Sequence, residues 1–360
     1  MKKALCFCLA CFLLSRAIVL GSAYLTFYSF DKPPAPPGYV ESGQGPLDEK
    51  PLNVLYFYDA THYMKIAQEG YTLTETPWFP LYPLLIKLFG GTPAAGVLLS
   101  NLLFFIGLVG LYKLAGAKGV LLASVTPIGL VFSAIHSESL FFCLATWFMV
   151  ALAAGKKEWA GILAGLAALS RPPGWALAAY LAVAAVGELV RGGTGRRLES
   201  VLAPPVIAGA IGLAYPVFLL CHYGLADILA VRVEARTFMP FWWGTVTDLR
   251  RLAALNDPGM KMIMILNLYG WVFIVTAFFS SRFTAPSALY ALFILSFPVT
   301  KEGYVFATHG LLRYACAWPS AYGGMVGKFA GRFQLAVLVV LMAGMAVIIA
   351  SLLAQKVFLF

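Results

Sequence analysis

The sequence predicts an all-α fold, a polytopic membrane protein of about eleven transmembrane helices, and three observations predict it. Apolar residues make up 61% of the chain and charged residues only 12%, whereas soluble domains have about 45–50% and about 25%. The apolar residues form continuous runs, most of them of about 17–25 residues, the length that crosses a bilayer as a helix. These runs do not alternate with polar residues as membrane β-strands do. The composition excludes a soluble enzyme and a secreted disulfide scaffold.

The apolar runs follow one another along a single domain, residues 1–360, with no inserted soluble domain. They fall near 4–28, 93–112, 118–135, 138–154, 159–171, 173–190, 201–222, 261–280, 284–300, 311–327 and 333–354. The first run exceeds the roughly 7–15 residues of a signal-peptide core, so we expect an uncleaved membrane helix. The run 159–171 is short and the run 118–135 contains Pro127, so the count holds to within one or two helices.

The charge distribution predicts the orientation of these helices. If Lys2 and Lys3 lie in the cytosol and the helices alternate, Lys and Arg greatly outnumber acidic residues in the inner loops, whereas the outer side balances. Membrane proteins show this bias on their cytoplasmic side. The net charge of +10 is therefore a topology signal, and we expect no nucleic-acid partner. Two long connections, 29–92 and 223–260, then lie on the non-cytosolic face.

The first outer loop, 29–92, contains a predicted amphipathic helix that begins near Asp59, ends at Gly70 and lies at the membrane surface. At 100° per residue one face carries Asp59, His62, Tyr63, Ile66 and Gly70, and the opposite side carries Thr61, Met64, Lys65 and Gln68. The segment 78–85 follows, with two prolines among aromatic residues, and it predicts a stiff interfacial or re-entrant turn.

The polar residues of this helix allow two interpretations. Asp59 is either a helix N-cap or a catalytic carboxylate at the rim of a lipid-facing cavity. His62 is either a hydrogen-bonded interfacial histidine or a site residue. Spacing along the chain does not decide between them.

Four segments, in order along the chain, resemble one family of membrane enzymes. They are Tyr58–Tyr71 with Phe79–Leu84, Thr126–Phe141, Ser170–Gly174 and His309–Tyr314. The family is the PIG-V-like mannosyltransferases (GPI mannosyltransferase II family) of the GT-C glycosyltransferase superfamily. The sequence departs from the family pattern at Tyr58 and Trp78, where Trp and Phe are commoner, and at His136, which replaces Tyr.

This resemblance implies a GT-C fold and a transfer reaction. Such enzymes take a sugar from a polyprenyl phosphate, such as dolichyl phosphate mannose, and pass it to an acceptor on the non-cytosolic face. The topology above, which used only Lys and Arg, places Asp59, Glu138, Arg171 and Arg313 on that outer face. The acceptor expected is a lipid-linked glycan, a glycolipid or a surface glycoconjugate, and membrane lipids are further partners.

The residue types suit the reaction that the resemblance implies. Direct displacement needs a base for the acceptor hydroxyl, and Asp59 is the candidate. Arginines bind the oxygens of a leaving phosphate, which makes Arg313 and Arg171 the candidates, with Lys301 a lesser one. His62, Tyr63, Glu138 and His309 are further substrate-binding candidates. Structural alternatives stay open, since arginines at helix ends also reach lipid headgroups and Glu138 could simply pair with one.

The second outer loop, 223–260, predicts another amphipathic segment, basic and aromatic. Phe238, Trp242 and Trp243 are either the floor of a groove for the polyprenyl chain or an ordinary aromatic belt. Arg16 lies inside the first apolar run, and a charged residue within a membrane helix usually indicates a functional role. The sequence does not identify the partner of Arg16.

No cofactor is expected. The outer loops contain no Asp-x-Asp pair, and a divalent metal held by Asp59, His62 and Glu138 is the less favoured option. No glycine-rich nucleotide pattern is present.

The alternative functions are a GT-C enzyme for another sugar or a protein acceptor, a non-catalytic subunit, or a lipid or solute transporter. The short Ala- and Gly-rich loops favour a prokaryotic cell membrane, and the endoplasmic reticulum would apply in a eukaryote.

Overall fold

The computed structural model describes residues 2–30, 51–191, 198–234, 241–254, 256, 258–278, 284–295, 311–328 and 331–354, and these residues form helices and turns without strands. The α-helices among them are α1 (Lys2–Ser29), α2 (Asp59–Glu69), α3 (Leu81–Leu88), α4 (Pro93–Ser124), α5 (Glu138–Ala153), α6 (Lys157–Ser170), α7 (Trp175–Val190), α8 (Leu198–Tyr223), α9 (Leu225–Glu234), α10 (Phe241–Ala254), α11 (Pro258–Leu268), α12 (Gly270–Phe278), α13 (Thr284–Leu295), α14 (Leu311–Cys316), α15 (Pro319–Lys328) and α16 (Arg332–Ala354). Short 3-10 turns cover Pro51–Leu55, Leu73–Glu75 and Pro172–Gly174.

Five helical segments are long and apolar enough to cross a membrane. They are α1, α4, Pro172–Val190, α8 and α16. Shorter apolar helices lie at Glu138–Ala153, Met264–Phe278 and Ala285–Ile294. Large apolar side chains such as Val190, 80% exposed, and Leu25, 67% exposed, point away from the protein, as they do where acyl chains are the solvent. The all-α class and the membrane-embedded character are therefore confirmed.

Several predicted runs end or break earlier than the hydropathy indicates. The helix α4 continues to Ser124 with a break at Gly116 (φ 64, ψ −164), and 125–137 is a series of turns, so a continuous helix over 118–135 is wrong. Pro127 has no N–H for the helical ladder, and Gly129 donates to Thr126 at 3.0 Å in a turn instead. The runs 261–280 and 311–327 each contain two helices, since Tyr269 and the Ala317–Trp318 pair interrupt them.

The predicted helix of the first outer loop is confirmed. It begins at Asp59 and ends at Gly70, which takes φ 93, a conformation that glycine adopts without strain. Met64, on the side opposite Asp59, is only 2% exposed. The helix packs against α3 and the protein core, so more than one of its sides is covered.

The segment 78–85 forms the start of a helix as well as a turn. Helix α3 begins at Leu81 and contains Pro83, which the first helical turn tolerates because N–H groups there have no helical acceptor. At eight residues it is too short to span a bilayer.

Arg16 connects the first helix to the turns at 125–137. Its guanidinium donates to Ser133 Oγ, to Asn101 Oδ1 at 3.4 Å and to Ser15 Oγ at 2.9 Å, and it lies 4.9 Å from the centre of the Phe104 ring. The sequence did not identify these partners, which bind both terminal nitrogens of a side chain that is only 7% exposed. They also fix the turns that lead into α5, where the candidate site begins.

Candidate active site

Asp59 is presented by a strained backbone. The residue before it, Tyr58, has φ 46 and ψ −111, and among the described residues it is the non-glycine with positive φ. Such a conformation costs about 1–3 kcal/mol for an L-residue and concentrates at functional sites. Tyr58 makes no side-chain capping bond to α2. The Asp59 side chain instead accepts hydrogen bonds from Arg313 and Trp78. Asp59 is therefore the first residue of the helix and not its N-cap.

Asp59, Glu138, Arg171 and Arg313 form a four-charge cluster. Arg313 donates from Nη2 to Asp59 Oδ2 and from Nε to Glu138 Oε1. Arg171 Nη2 lies 3.0 Å from the same Oε1 atom of Glu138. One guanidinium thus bridges two carboxylates, and one carboxylate joins two guanidiniums. The formal charges balance within the cluster, as burial of ions requires.

Each member of the cluster stands at a helix boundary or a short helix. Glu138 is the first residue of α5, and Arg171 follows α6 in extended backbone. Arg313 lies in the short helix α14. The turn after Arg171 packs tightly on α6, because Gly174 lies so close to Ala167 that a Cβ there would stand 2.0 Å from the Ala167 carbonyl oxygen. The backbone therefore leaves little freedom for Arg171.

The exposure of the cluster increases toward Asp59. The side chain of Glu138 is completely buried, those of Arg171 and Arg313 are 5% and 12% exposed, and that of Asp59 is 22% exposed. Substrate would therefore reach Asp59 and Arg313 first. Burial by itself raises the pKa of Asp59, but the Arg313 guanidinium and the hydrogen bonds from Arg313 and Trp78 outweigh it and hold this pKa below its ordinary value. Asp59 is therefore ionised at neutral pH.

Two aromatic side chains stand beside Asp59. Trp78 donates from Nε1 to Asp59 Oδ1 at 3.1 Å, and its ring stacks on His62 with 3.5 Å between ring centres. His62 Nδ1 lies 3.8 Å from Glu75 Oε1, which also accepts a hydrogen bond from Lys65 at 2.9 Å. Burial lowers the pKa of His62 below its ordinary value, although Asp59 and Glu75 oppose this. The imidazole is therefore a mainly neutral ring at pH 7.

Tyr63 and His136 line the buried side of the site. Tyr63 donates from its hydroxyl to Ser137 Oγ at 2.8 Å and is 4% exposed, so it supports the turn before Glu138. His136 is fully buried, with its ring centre 4.7 Å from that of Phe57.

Several buried polar atoms around the cluster make no hydrogen bond within the described residues. They are both imidazole nitrogens of His136, Oε2 of Glu138, and Nε and Nη1 of Arg171. Buried polar groups normally have partners, and Arg171 is also held 4.8 Å from the ring centre of Tyr314. The cluster therefore has spare donors and acceptors for a polar ligand or water.

Five of the seven predicted catalytic and substrate-binding residues meet in the structure, four of them directly and one through a single intervening residue. Asp59, Glu138, Arg171 and Arg313 meet in the cluster, and His62 reaches Asp59 through Trp78. Tyr63 lies beside them but is engaged with Ser137. His309, with Lys301, lies outside the described residues, as does Phe238, and the side chains of Trp242 and Trp243 in α10 are likewise not described.

Trp78 was missed as a site residue by sequence reasoning, which noted it only as a departure from the family pattern. That departure was the signal, because Trp supplies the N–H that reaches Asp59 whereas Phe has none. His136 was likewise noted only as a replacement for Tyr, although it is fully buried beside the cluster. Within the described part of the chain, no group of three His, Cys, Asp or Glu side chains is placed to hold a metal ion.

No family model matches this chain, and no curated protein matches it. Fold and site together define an all-helical, membrane-embedded protein with a buried carboxylate–guanidinium cluster whose accessible end is Asp59.

Proposed function

We propose that this protein is a GT-C-type glycosyltransferase with about eleven membrane spans. It moves a sugar, by resemblance mannose, from a polyprenyl-phosphate donor to a lipid-linked or surface glycoconjugate acceptor on the non-cytosolic face of a membrane, a prokaryotic cell membrane by its loop composition. The observation that carries the proposal is the bridge that Arg313 makes between Asp59 and Glu138. This bridge joins three of the four segments that resemble the family, although they are far apart in sequence, and Arg171 connects the fourth through Glu138.

The proposed chemistry is a single displacement at the anomeric carbon. Asp59 takes the proton of the acceptor hydroxyl as the oxygen attacks, the bond to the phosphate oxygen breaks, and the anomeric configuration inverts. A base must be ionised before it can act, and the low pKa of Asp59 provides this at neutral pH. Electrons and charge leave with the polyprenyl phosphate, and Arg313 and Arg171 neutralise that charge where it develops.

Arg313 has to serve both the base and the leaving group. In the ligand-free arrangement it is paired with Asp59, which weakens that carboxylate as a base. A donor phosphate bound to Arg313 would compete for the same N–H groups. Donor binding would therefore free Asp59 and raise its pKa, so that the base becomes strong only when the sugar is in place.

The stacked rings of His62 and Trp78 suit the acceptor. His62 is 33% exposed and Trp78 is bonded to the base, so an acceptor ring on this side would bring its hydroxyl next to Asp59. Flat aromatic surfaces with a polar edge favour such contacts.

The proposal is tested by a transfer assay with purified full-length protein. Radiolabelled mannosyl, glucosyl and galactosyl phosphates of one polyprenol are supplied separately, with membrane lipid extract as the acceptor source. We expect release of free polyprenyl phosphate and label in a glycoconjugate from the mannosyl donor. Label transferred from another donor would show that the sugar is not mannose, and label found in protein would show that the acceptor is a protein. The absence of transfer and hydrolysis with every donor would contradict the proposal.

A further inference from the structure

A cavity of about 340 Å³ lies at the other end of the helices that carry the four-charge cluster. Glu138 opens α5, whereas Leu152 at the end of that helix lines the cavity. Arg171 follows α6, whereas Lys157 at its beginning lines the cavity. The 16 residues of α5 rise about 24 Å at 1.5 Å per residue. The cavity is therefore a site separate from the candidate active site.

The polar groups of the cavity have both signs of charge. Lys157 Nζ lies 2.5 Å from Glu188 Oε1, and the two side chains are 39% and 31% exposed. An ammonium group has three N–H donors, and this pair uses one, so Lys157 can also donate to an anionic ligand. A carboxylate accepts at several lone-pair positions, so Glu188 can also accept from a ligand amine.

Helix α8 contributes a further acceptor to the cavity wall. Pro205 lies inside this helix and has no N–H. The carbonyl of Val201, four residues earlier, therefore receives no hydrogen bond from its helical partner. Both Val201 and Pro205 line the cavity, so the carbonyl that lacks its helical donor belongs to a residue of the cavity wall.

Tyr180 also lines the cavity. The remaining side chains of the wall are apolar, and the cavity is open to the outside of the protein. Leu181 and Ala184 line the cavity, and the alanine leaves room where a larger residue would fill it. Beside the cavity, α7 exposes Val183 (60%) and Val190 (80%), and α8 exposes Val206 (63%). Exposed apolar faces on membrane-embedded helices contact acyl chains, so a ligand with lipid tails can lie here.

We propose that this cavity binds the headgroup of a phospholipid with a primary amine, phosphatidylethanolamine. Lys157 donates to its phosphate, and Glu188 with the Val201 carbonyl accepts from its ammonium. The acyl chains run along the exposed faces of α7 and α8. A trimethylammonium headgroup has no N–H to donate, and a phosphatidylglycerol headgroup has no cation for Glu188. The proposal does not depend on sugar transfer.

The test is native mass spectrometry of the full-length protein in detergent. The protein is exchanged into micelles containing equal amounts of dioleoyl phosphatidylethanolamine and dioleoyl phosphatidylcholine, and each bound lipid is counted. We expect the wild type to retain the amine lipid about tenfold over the choline lipid, as loss of a charge-assisted hydrogen bond would give. Glu188→Gln should bring the ratio close to one, because Glu188 accepts from the ammonium that only the amine lipid can donate. Lys157→Gln should lower the retention of both lipids, because both have the phosphate that Lys157 binds.

The two neighbours of Lys157 in the chain provide matched controls. Lys156→Gln and Glu158→Gln change the same charges outside the cavity lining and should leave the wild-type ratio intact. Equal retention of both lipids by the wild type, unchanged selectivity in Glu188→Gln, or unchanged retention of both lipids in Lys157→Gln would overturn the proposal. Displacement of the lipid by soluble glycerophosphoethanolamine at the same concentration would overturn the assignment to a lipid. The wild-type comparison decides even if a variant does not fold.

Discussion

Arg313 donates to Asp59 although 254 residues separate them in the chain. The contact brings a late helix onto the first helix of the opening loop, and Glu138 accepts from the same guanidinium. The accessible carboxylate of the site thus depends on contacts that form only when most of the chain is folded. An ion pair in this partly buried position also sets the protonation state of Asp59.

Asp59→Asn is expected to lower transfer from the polyprenyl-phosphate donor by about 10²–10⁴-fold, the usual contribution of a general base. The amide keeps the shape of the side chain but does not take a proton. The measurement is the rate of label transfer by purified protein with the size-exclusion profile unchanged. Glu69→Gln, which removes an exposed acid from the same helix, is the control and should transfer at the wild-type rate. Full activity of Asp59→Asn would remove this residue from the chemistry.

Arg313→Lys is expected to destabilise the protein by about 2 kcal/mol and to reduce transfer, because one ammonium does not reproduce the two separate guanidinium contacts. Arg313 uses Nη2 for Asp59 and Nε for Glu138. Unfolding in a mixed-micelle denaturant titration measures the stability. The same conservative change at Arg250, which is exposed on α10, should have no effect. Equal stability of the two variants would show that the bridge contributes little.

The sequence predicted those parts of the site that local pattern determines. The helix from Asp59 to Gly70 follows from its periodicity and its terminal glycine, and both ends were located correctly. The sequence also predicted Arg171 and Arg313 as site candidates and left open that Glu138 pairs with an arginine, because charges in an apolar chain need opposite charges nearby. The pairing itself, with Arg313 on two carboxylates and Arg171 on one, depends on packing that no local pattern contains.

Three other features could not be predicted from the sequence, because they too depend on tertiary packing. Hydropathy alone extended a helix through 118–135, but the Arg16 contact with Ser133 is a tertiary contact that stabilises turns there. Helical periodicity divided this helix into two sides, but it did not reveal that Met64, on the side opposite Asp59, is also buried, because that burial depends on tertiary packing. The positive φ of Tyr58 has no sequence signature, since a bulky residue adopts it only when the surroundings impose it.

Acid is expected to weaken the fold through Asp59. Its pKa in the folded protein is held below the ordinary value of 3.8, whereas the unfolded chain titrates near that value. Below about pH 4 the unfolded state binds a proton that the folded state does not, so the stabilisation is complete above this pH and is lost as the pH falls. The measurement is the melting temperature from pH 3 to 7 for wild type and Asp59→Asn. The gap between them should be constant above pH 5 and narrow below pH 4; a gap independent of pH would contradict the shift.

Trp78→Phe separates the hydrogen bond to Asp59 from the stacking on His62. Phenylalanine keeps a ring over the imidazole but has no N–H, so Asp59 loses a charge-assisted donor. We expect transfer to fall about tenfold, because the carboxylate loses the bond that orients it, even though the pKa of Asp59 moves toward its ordinary value. Trp159→Phe is the matched control, because Trp159 is 60% exposed on α6, and it should leave the rate unchanged. Equal rates for both variants would show that the indole N–H does not matter.

Gly174→Ala tests whether the close packing after Arg171 positions that side chain. A Cβ at Gly174 would stand 2.0 Å from the Ala167 carbonyl oxygen and 2.5 Å from the Ala168 nitrogen, and both are backbone atoms that move only with α6. Overpacking of this kind costs about 1–3 kcal/mol. The turn must shift, and Arg171 would lose its 3.0 Å contact with Glu138.

The control for this change is Gly187→Ala in α7, the helix that follows this turn, where a Cβ would meet nothing within 4 Å. Alanine there should be neutral or stabilise by up to about 1 kcal/mol, because it is the better helix former. Thermal stability and transfer rate are measured for both variants. Gly174→Ala should lower both quantities, whereas Gly187→Ala should lower neither. If Gly174→Ala lost stability but kept the full transfer rate, the packing would serve the fold alone and Arg171 would not need its present position for the reaction.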